Sequence, residues 1–285
     1  MTAPILIVGA GGCLGRTLVQ TGAAHVLGLN RKALDIADPQ AVAMALDRLR
    51  PRAVVNAAAL AAVDACETDY ANALRANADG PGNLARACAA RDIGFLHIST
   101  DYVFGGEGHD RPRRETDPPN PVNAYGRSKL AGEEQVAAAR GRSIIVRTAW
   151  LFGFPTDFID RMARRAADGQ PLRITEQTGA PTPVEPLAQA LLRLANHLYT
   201  DEITPPILHL AGHPVTTRAE WVERALTAAA PDLAAIERVS GDVFAGSGAV
   251  RPLGTPLDSS LAAERFDLHI DWRPAADAYR LEWRA

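Results

Sequence analysis

An apolar run, Ile5–Val8, passes directly into Gly9-Ala10-Gly11-Gly12-Cys13-Leu14-Gly15, and a helical pattern starts inside that loop. A strand, a glycine turn and a helix N-terminus in this order form the opening of a βαβ nucleotide-binding unit. Glycines stand at 9, 12 and 15, a GxxGxxG spacing; the GxGxxG register fails because Leu14 occupies its last position. Missing side chains let the backbone approach a pyrophosphate, and the helix N-terminus favours its charge. Apolar runs recur at His25–Leu29, Ala53–Asn56, Gly94–Ile98 and Ser143–Val146. They are continuous rather than alternating, as parallel strands covered on both faces are. Helical stretches near Leu14–Thr21, Pro39–Leu49, Tyr70–Ala90 and Ala124–Ala139 separate them. The expected class is α/β, a Rossmann-type doubly wound parallel sheet with a smaller C-terminal substrate-binding region.

Regularity falls after Trp150, where short helices near Asp157–Ala167 and Pro186–Leu198 alternate with turn-rich segments. The expected division is an NAD(P)-binding Rossmann domain over 1–150 and a mainly substrate-binding region over 151–285, parts of which return to the first domain. Gly80, Pro81 and Gly82 interrupt one helical pattern. An interior Pro costs ~3 kcal/mol, so a kink or a late helix start is expected there.

Charge and cysteine usage narrow the class of partner. Thirty Lys and Arg against 33 Asp and Glu give a net charge of −3, which argues against nucleic acid. Cys13, Cys66 and Cys88 make no disulfide framework, and no run reaches the ~20 apolar residues of a membrane span. The opening residues lack a signal-peptide pattern, so a cytoplasmic protein with no membrane partner is expected.

Three features carry chemistry. Asn30-Arg31 stands at the end of the second strand, where Asp or Glu would hold an NAD ribose and repel a 2′-phosphate. A neutral Asn followed by Arg suits that phosphate, unless Arg31 is simply a solvated loop cation. Tyr125 and Lys129 lie four apart on a helix and share one face. An ammonium beside the phenol would lower its pKa from ~10 toward neutrality, where it exchanges a proton with a carbonyl or alcohol. Ser99-Thr100-Asp101 follows the fourth strand, at the sheet edge that carries ligands, where a hydroxyl can stabilise charge on the same carbonyl oxygen. Separately, these read as a surface pair and a loop cap; in this order and spacing they point to one site.

At these residues the chain resembles the extended short-chain dehydrogenase/reductase superfamily, and within it the dTDP-4-dehydrorhamnose reductase family. The resemblance runs through Val55-Asn-Ala-Ala-Ala59, Ser99-Thr-Asp-Tyr-Val-Phe104, Asn123-Ala-Tyr125-Gly-Arg-Ser-Lys129, Arg147-Thr-Ala-Trp150, Gln177-Thr-Gly-Ala-Pro-Thr182 and Arg251-Pro252, nearly the whole chain. It implies reduction of the 4-keto group of a nucleotide-linked 6-deoxysugar, completing dTDP-L-rhamnose with NADPH or NADH. Thr100 would polarise the ketone, Tyr125 would protonate it, and Lys129 would hold the nicotinamide ribose. Thr100, Asp101 and Trp150 match substrate-contacting positions, although an indole at Trp150 reads equally as a core aromatic. Gly9, Gly12, Cys13, Leu14, Gly15, Asn30, Arg31, Asp35, Ile36, Ala59, Leu60 and Ala61 stand on the cofactor side, with Tyr125 and Lys129. Asn77 matches a structural position that bonds backbone near the site, against a plain reading as a solvent-facing helix residue.

Some relatives carry a carboxylate in the first helix that helps hold Mg²⁺ at a dimer interface; here that position is Thr17, so Mg²⁺ is doubtful and no metal ligand is assigned. Cys13 reads as a small packing residue, and His97 and His109 have no zinc spacing. A nucleotide-sugar substrate and a homodimer are the partners expected. Competing readings are a nucleotide-sugar epimerase, a reductase of another 4-ketosugar, and a non-catalytic nucleotide-binding regulatory subunit. Asn30-Arg31 speaks against a permanently held NAD, and the retained Thr100, Tyr125 and Lys129 against loss of catalysis.

Overall fold

The computed structural model describes residues 3–105, 111–198, 205–229, 236–240 and 248–279. Strand β1 (Ile5–Val8) feeds α1 (Cys13–Gly22), and β2 (Val26–Leu29) feeds α2 (Pro39–Leu49). Next come β3 (Ala53–Asn56), α3 (Val63–Thr68), α4 (Tyr70–Leu74), a π-helical turn (Arg75–Asp79) and α5 (Gly80–Ala89). They are followed by β4 (Gly94–Thr100), α6 (Ala124–Ala138) and β5 (Ser143–Thr148). Beyond these lie β6 (Leu151–Phe152), α7 (Phe158–Ala167), β7 (Leu172–Thr175), β8 (Thr178–Gly179), β9 (Thr182–Pro183) and α8 (Val184–His197). The chain continues through β10 (Ile207–His209), β11 (Thr216–Thr217), α9 (Arg218–Ala229), β12 (Ile236–Val239), α10 (Ser260–Phe266) and α11 (Arg273–Asp277).

The central sheet is six-stranded in the order β10-β5-β4-β3-β1-β2, with every pairing parallel. Strand order reverses between β1 and β3, so a crevice opens at their carboxyl ends, where doubly wound sheets bind ligands. One face buries Ile5, Ile7, Val55, Leu96 and Val146 against α1, α8 and α10; the other buries Leu6, Val8, Val54 and Phe95 against α2 and α5. Both faces being covered accounts for the unbroken apolar runs. The sixth strand, β10, and the cover helix α8 come from beyond residue 151, so the chain does return to the first sheet. A further core gathers α7, β7, α9 and α11 around Trp221, which is 1% exposed. Paired two-residue strands, β6 with β9 and β8 with β11, join this part to the strand ends.

Pro81 neither breaks nor visibly ends the helical path. It offers no N–H to the Asn77 carbonyl, and its ring would collide with that carbonyl in a regular α-turn. The chain widens instead into the π-turn, in which Gly80 N–H reaches the Arg75 carbonyl, and α5 starts with Pro81 in its first turn. The Asn77 carbonyl turns toward α6, where a Cβ on Gly132 would meet it at 2.0 Å. The expected late start is therefore real, but the two helices remain joined.

Candidate active site

The glycine loop divides its work by position. Gly9 has φ +84°, and a Cβ there would lie 2.4 Å from Ala58 N, so the ends of β1 and β3 approach only because it is glycine. A Cβ on Gly15 would lie 2.2 Å from the Gly9 carbonyl, so this residue lets α1 sit against the loop. Gly12 meets nothing closer than 3.5 Å and is exposed, which leaves its backbone open to a ligand.

A cleft of about 240 Å³ follows, lined by Gly9, Gly12, Arg31, Asp35, Ile36, Ala59 and Leu60 from the sequence reading. Cys13, Leu14, Gly15, Asn30 and Ala61 do not line it. Leu14 and Gly15 are buried, Leu14 and Cys13 pack on the core, and burial raises the Cys13 thiol, keeping it protonated. Thr17 turns its hydroxyl onto the Cys13 carbonyl at 3.1 Å. Asn30 Oδ1 accepts from Lys32 N and Ala33 N at 3.0 and 3.1 Å, so only its Nδ2 donor is left for a ligand. Sequence reasoning missed Arg75, whose guanidinium pairs with Asp35 at 2.5 Å across the cleft. The Ala37 N–H, and then Arg75 and Arg31, hold the Asp35 carboxyl below its usual range.

The second half of the site sits where β4 ends and α6 begins. Asn123 caps α6 by accepting from Gly126 N at 2.8 Å, and Glu67 accepts from Ala124 N at 2.6 Å. A Cβ on Gly126 would lie 2.1 Å from the Tyr102 carbonyl, so the helix can press its first turn, with Tyr125, against the residues after β4. Tyr125 is partly buried among Leu60, Cys66 and Ala73, edge-on to Tyr102 at 5.8 Å between centroids. Thr100 is 6% exposed; its Oγ1 accepts from Tyr102 N and donates to Asp101 Oδ1 at 3.1 Å. Asp101 Oδ2 accepts from Thr255 Oγ1 at 2.5 Å, and burial pushes its carboxyl up to about 6 against the hydrogen bonds from Thr255 and Thr100.

The acidity expected of Tyr125 is overturned. Burial drives its phenol above the ordinary value, and the neighbouring Thr100 hydroxyl offsets only part of this. The contacts of Lys129 lie elsewhere on β4: Nζ donates to the Ile98 carbonyl at 2.7 Å and lies 3.3 Å from His97 Nε2. Burial lowers Lys129 itself to about 8, against the upward pull of Glu133. His97 was absent from the sequence-derived site because its partners, Asn56 of β3 and Lys129 of α6, lie on other elements. Asn77 is fully buried, bonding Leu60 through both its backbone groups and Ser128 Oγ at 2.9 Å, so the solvent-facing reading fails.

Trp150 packs as an aromatic of the second core, partly exposed. It has φ +39°, a strained value for a bulky residue, directly after β5. Its ring stacks with Trp221 at 5.8 Å and carries the Arg218 guanidinium at 4.2 Å. Arg218 extends from the start of α9 and donates through Nε to Gln177 Oε1 at 3.2 Å. It is a cation beside Trp150 that no sequence spacing announces. His109 lies outside the described residues.

A family model described as the RmlD substrate binding domain matches residues 2–282. The chain belongs to that family. It is 39% identical over 282 residues to a dTDP-4-dehydrorhamnose reductase of Mycolicibacterium smegmatis, covering 96% of this chain and 84% of the relative. Its fold matches the crystal structure of a family member from Clostridium acetobutylicum, also a dTDP-4-dehydrorhamnose reductase, with TM-score 0.87 and 30% identity over 97% of this chain and 98% of that one. A dTDP-4-dehydrorhamnose reductase of Bacillus anthracis in complex with NADP matches at TM-score 0.87 and 27% identity, covering 98% and 99% of the two chains. Membership thus spans both the glycine-loop sheet and the Trp221 core. Among the described residues, no helix is long and apolar enough to cross a membrane.

Proposed function

We propose that the protein reduces the 4-keto group of dTDP-4-dehydrorhamnose to dTDP-L-rhamnose with NADPH, accepting NADH as well. The observation that carries this reading is the Thr100 hydroxyl at the end of β4 bonded to Tyr125 of α6, whose ring packs with Leu60 of the glycine-lined cleft. Gly9, Gly12, Asp35, Ile36, Ala59 and Leu60 would hold the dinucleotide; NADPH would supply the hydride. Tyr125 would deliver the proton to the carbonyl oxygen and Thr100 would hydrogen-bond it. Asp101 and Trp150 would orient the sugar. The carboxylate of Asp101, tied to Thr255, links the catalytic strand to the segment after β12. Residues 151–285 would supply the remainder of the substrate side. We place the reaction in the cytoplasm, where the free thiols of Cys13, Cys66 and Cys88 stay reduced. Oxidation of NADPH with a panel of 4-keto nucleotide sugars, with product configuration read by NMR, tests the assignment. No turnover with any of them overturns it.

Cofactor preference follows from Arg31 and Asn30. Arg31 lines the cleft, and Asn30, next to it, has its oxygen already taken by Lys32 N and Ala33 N and carries no charge to repel a 2′-phosphate. Arg31→Ala is expected to raise the Michaelis constant for NADPH at least about fivefold at low salt, less as salt screens the exposed contact. NADH kinetics should hardly change. Equal losses with both cofactors would assign Arg31 to loop shape instead.

Turnover is expected to survive prolonged EDTA treatment. Thr17 offers one hydroxyl where a carboxylate would be needed, and it is already engaged with Cys13. Proton delivery and carbonyl polarisation fall to Tyr125 and Thr100. Activity lost to EDTA and restored specifically by Mg²⁺ would contradict this.

A further inference from the structure

Asn56 ends β3 fully buried, and its Oδ1 accepts from the Ala58 backbone N–H at 3.0 Å. A backbone donor cannot be turned around, so it fixes which way the amide points. Asn56 Nδ2 then faces His97 Nδ1 at 3.1 Å. An amide nitrogen only donates, so Nδ1 must accept, and the single proton of neutral imidazole sits on Nε2. Nε2 faces Lys129 Nζ at 3.3 Å, while Nζ donates to the Ile98 carbonyl at 2.7 Å. An ammonium has no lone pair. The Asn56 Nδ2 and His97 Nε2 donors both find acceptors only when Lys129 is an amine that accepts from His97.

We propose that Asn56 and His97 are positioning residues that bias Lys129 toward its uncharged amine, and that Lys129 gains or loses its charge together with a change of tautomer at His97. To face an ammonium, Nε2 must accept, which moves the imidazole proton to Nδ1. There it confronts the Asn56 Nδ2 donor between two fully buried side chains, where an unmatched donor is costly. His97 is fully buried and held well below its ordinary value by that burial and by Lys129, so imidazolium offers no escape. The bias adds to the desolvation that brings Lys129 to about 8. Below that pH the residue is charged, and above it the row of hydrogen bonds closes.

Other charged groups around α6 are committed elsewhere. Glu133, one turn on, pulls Lys129 upward but is paired with Arg147 of β5 at 2.6 Å. Asp101 at the end of β4 binds Thr100 and Thr255. Glu67 of α3 takes Ala124 N and Arg127, and Arg75 of the π-turn takes Asp35. Tyr125, on the preceding turn, is protonated through the neutral range.

Side-chain ¹⁵N spectra of the ligand-free full chain test this directly. At a pH above the titration of Lys129, His97 should carry its proton on Nε2; a proton on Nδ1 there overturns the proposal. Asn56→Asp keeps the shape and the acceptor for Ala58 but replaces the donor to His97 by an acceptor. It should hold His97 in the Nδ1–H form at every pH and raise the titration of Lys129 by at least about half a pH unit. A variant with the wild-type tautomer and titration would reduce Asn56 to a packing role. Should Asn56→Asp fail to fold, the wild-type spectra decide alone.

Discussion

Tyr125→Phe lowers the proposed turnover by about 10²–10⁴-fold, the range of general acid catalysis, with cofactor affinity nearly unchanged. Phe keeps the ring edge-on to Tyr102 and packed beside Leu60 and Cys66, so the site's shape survives and only the hydroxyl is lost. The raised pKa of the phenol, which the Tyr-Lys spacing did not foresee, keeps the proton on Tyr125. Reduction of a ketone consumes a proton, and a phenol held in its neutral form by burial is loaded with that proton at every pH near neutrality. The alkaline limit of turnover then belongs to Lys129: its folded value is depressed to about 8, so charge-dependent work at Lys129 fades as pH rises through that point. Stopped-flow NADPH oxidation with matched cofactor titrations measures both quantities. Retention of more than about a tenth of the wild-type rate, outside the range for an essential acid, would assign the proton to another group.

Glu133→Gln costs about 3–5 kcal/mol of stability, because it leaves the Arg147 guanidinium buried without its counter-charge. Glu133 and Arg147 are 4% and 2% exposed, joined by Nε to Oε1 at 2.9 Å and Nη2 to Oε2 at 2.6 Å, with Ser99 Oγ donating to Oε1 at 2.5 Å. The pair ties α6 to β4 and β5 one turn beyond Lys129. A fall in melting temperature on the order of 10 °C is expected. Replacing both partners by apolar residues, Glu133→Leu with Arg147→Met, should recover most of the loss, since removing both charges also removes their desolvation. A single variant that loses less than about 1 kcal/mol, the worth of an exposed pair, would mean that water reaches Arg147.

Which features were readable in advance follows from the range of the forces that make them. Ile5–Val8, Ala53–Asn56 and the glycine loop are local: burial on both faces and a turn with φ +84° at Gly9 each leave a mark in adjacent residues. Thr100, Tyr125 and Lys129 are recognisable because the strand end and helix face that carry them are themselves local. Three-residue β10 has too few positions to show a period, and its place beside β5 is set by tertiary contacts. Arg75, Arg218 and His97 gain meaning only from partners brought by other elements, at Asp35, Trp150 and Asn56. The π-turn was half-visible: Pro81 announced a disruption, but not that Gly132 on another helix would make room for the displaced carbonyl.

The return of the chain to its first sheet has a consequence for biosynthesis. When β5 leaves the ribosome, one face of the sheet still waits for Val184, Leu187, Leu191 and Leu194 of α8, and its edge waits for Ile207–His209. At about 5–20 residues per second, that surface stays bare for several seconds, with the strand edge of β5 open to any other nascent chain. Folding of the glycine-loop half is thus timed by the arrival of the later segment, and a polypeptide cut near the middle would present the aggregation-prone intermediate permanently.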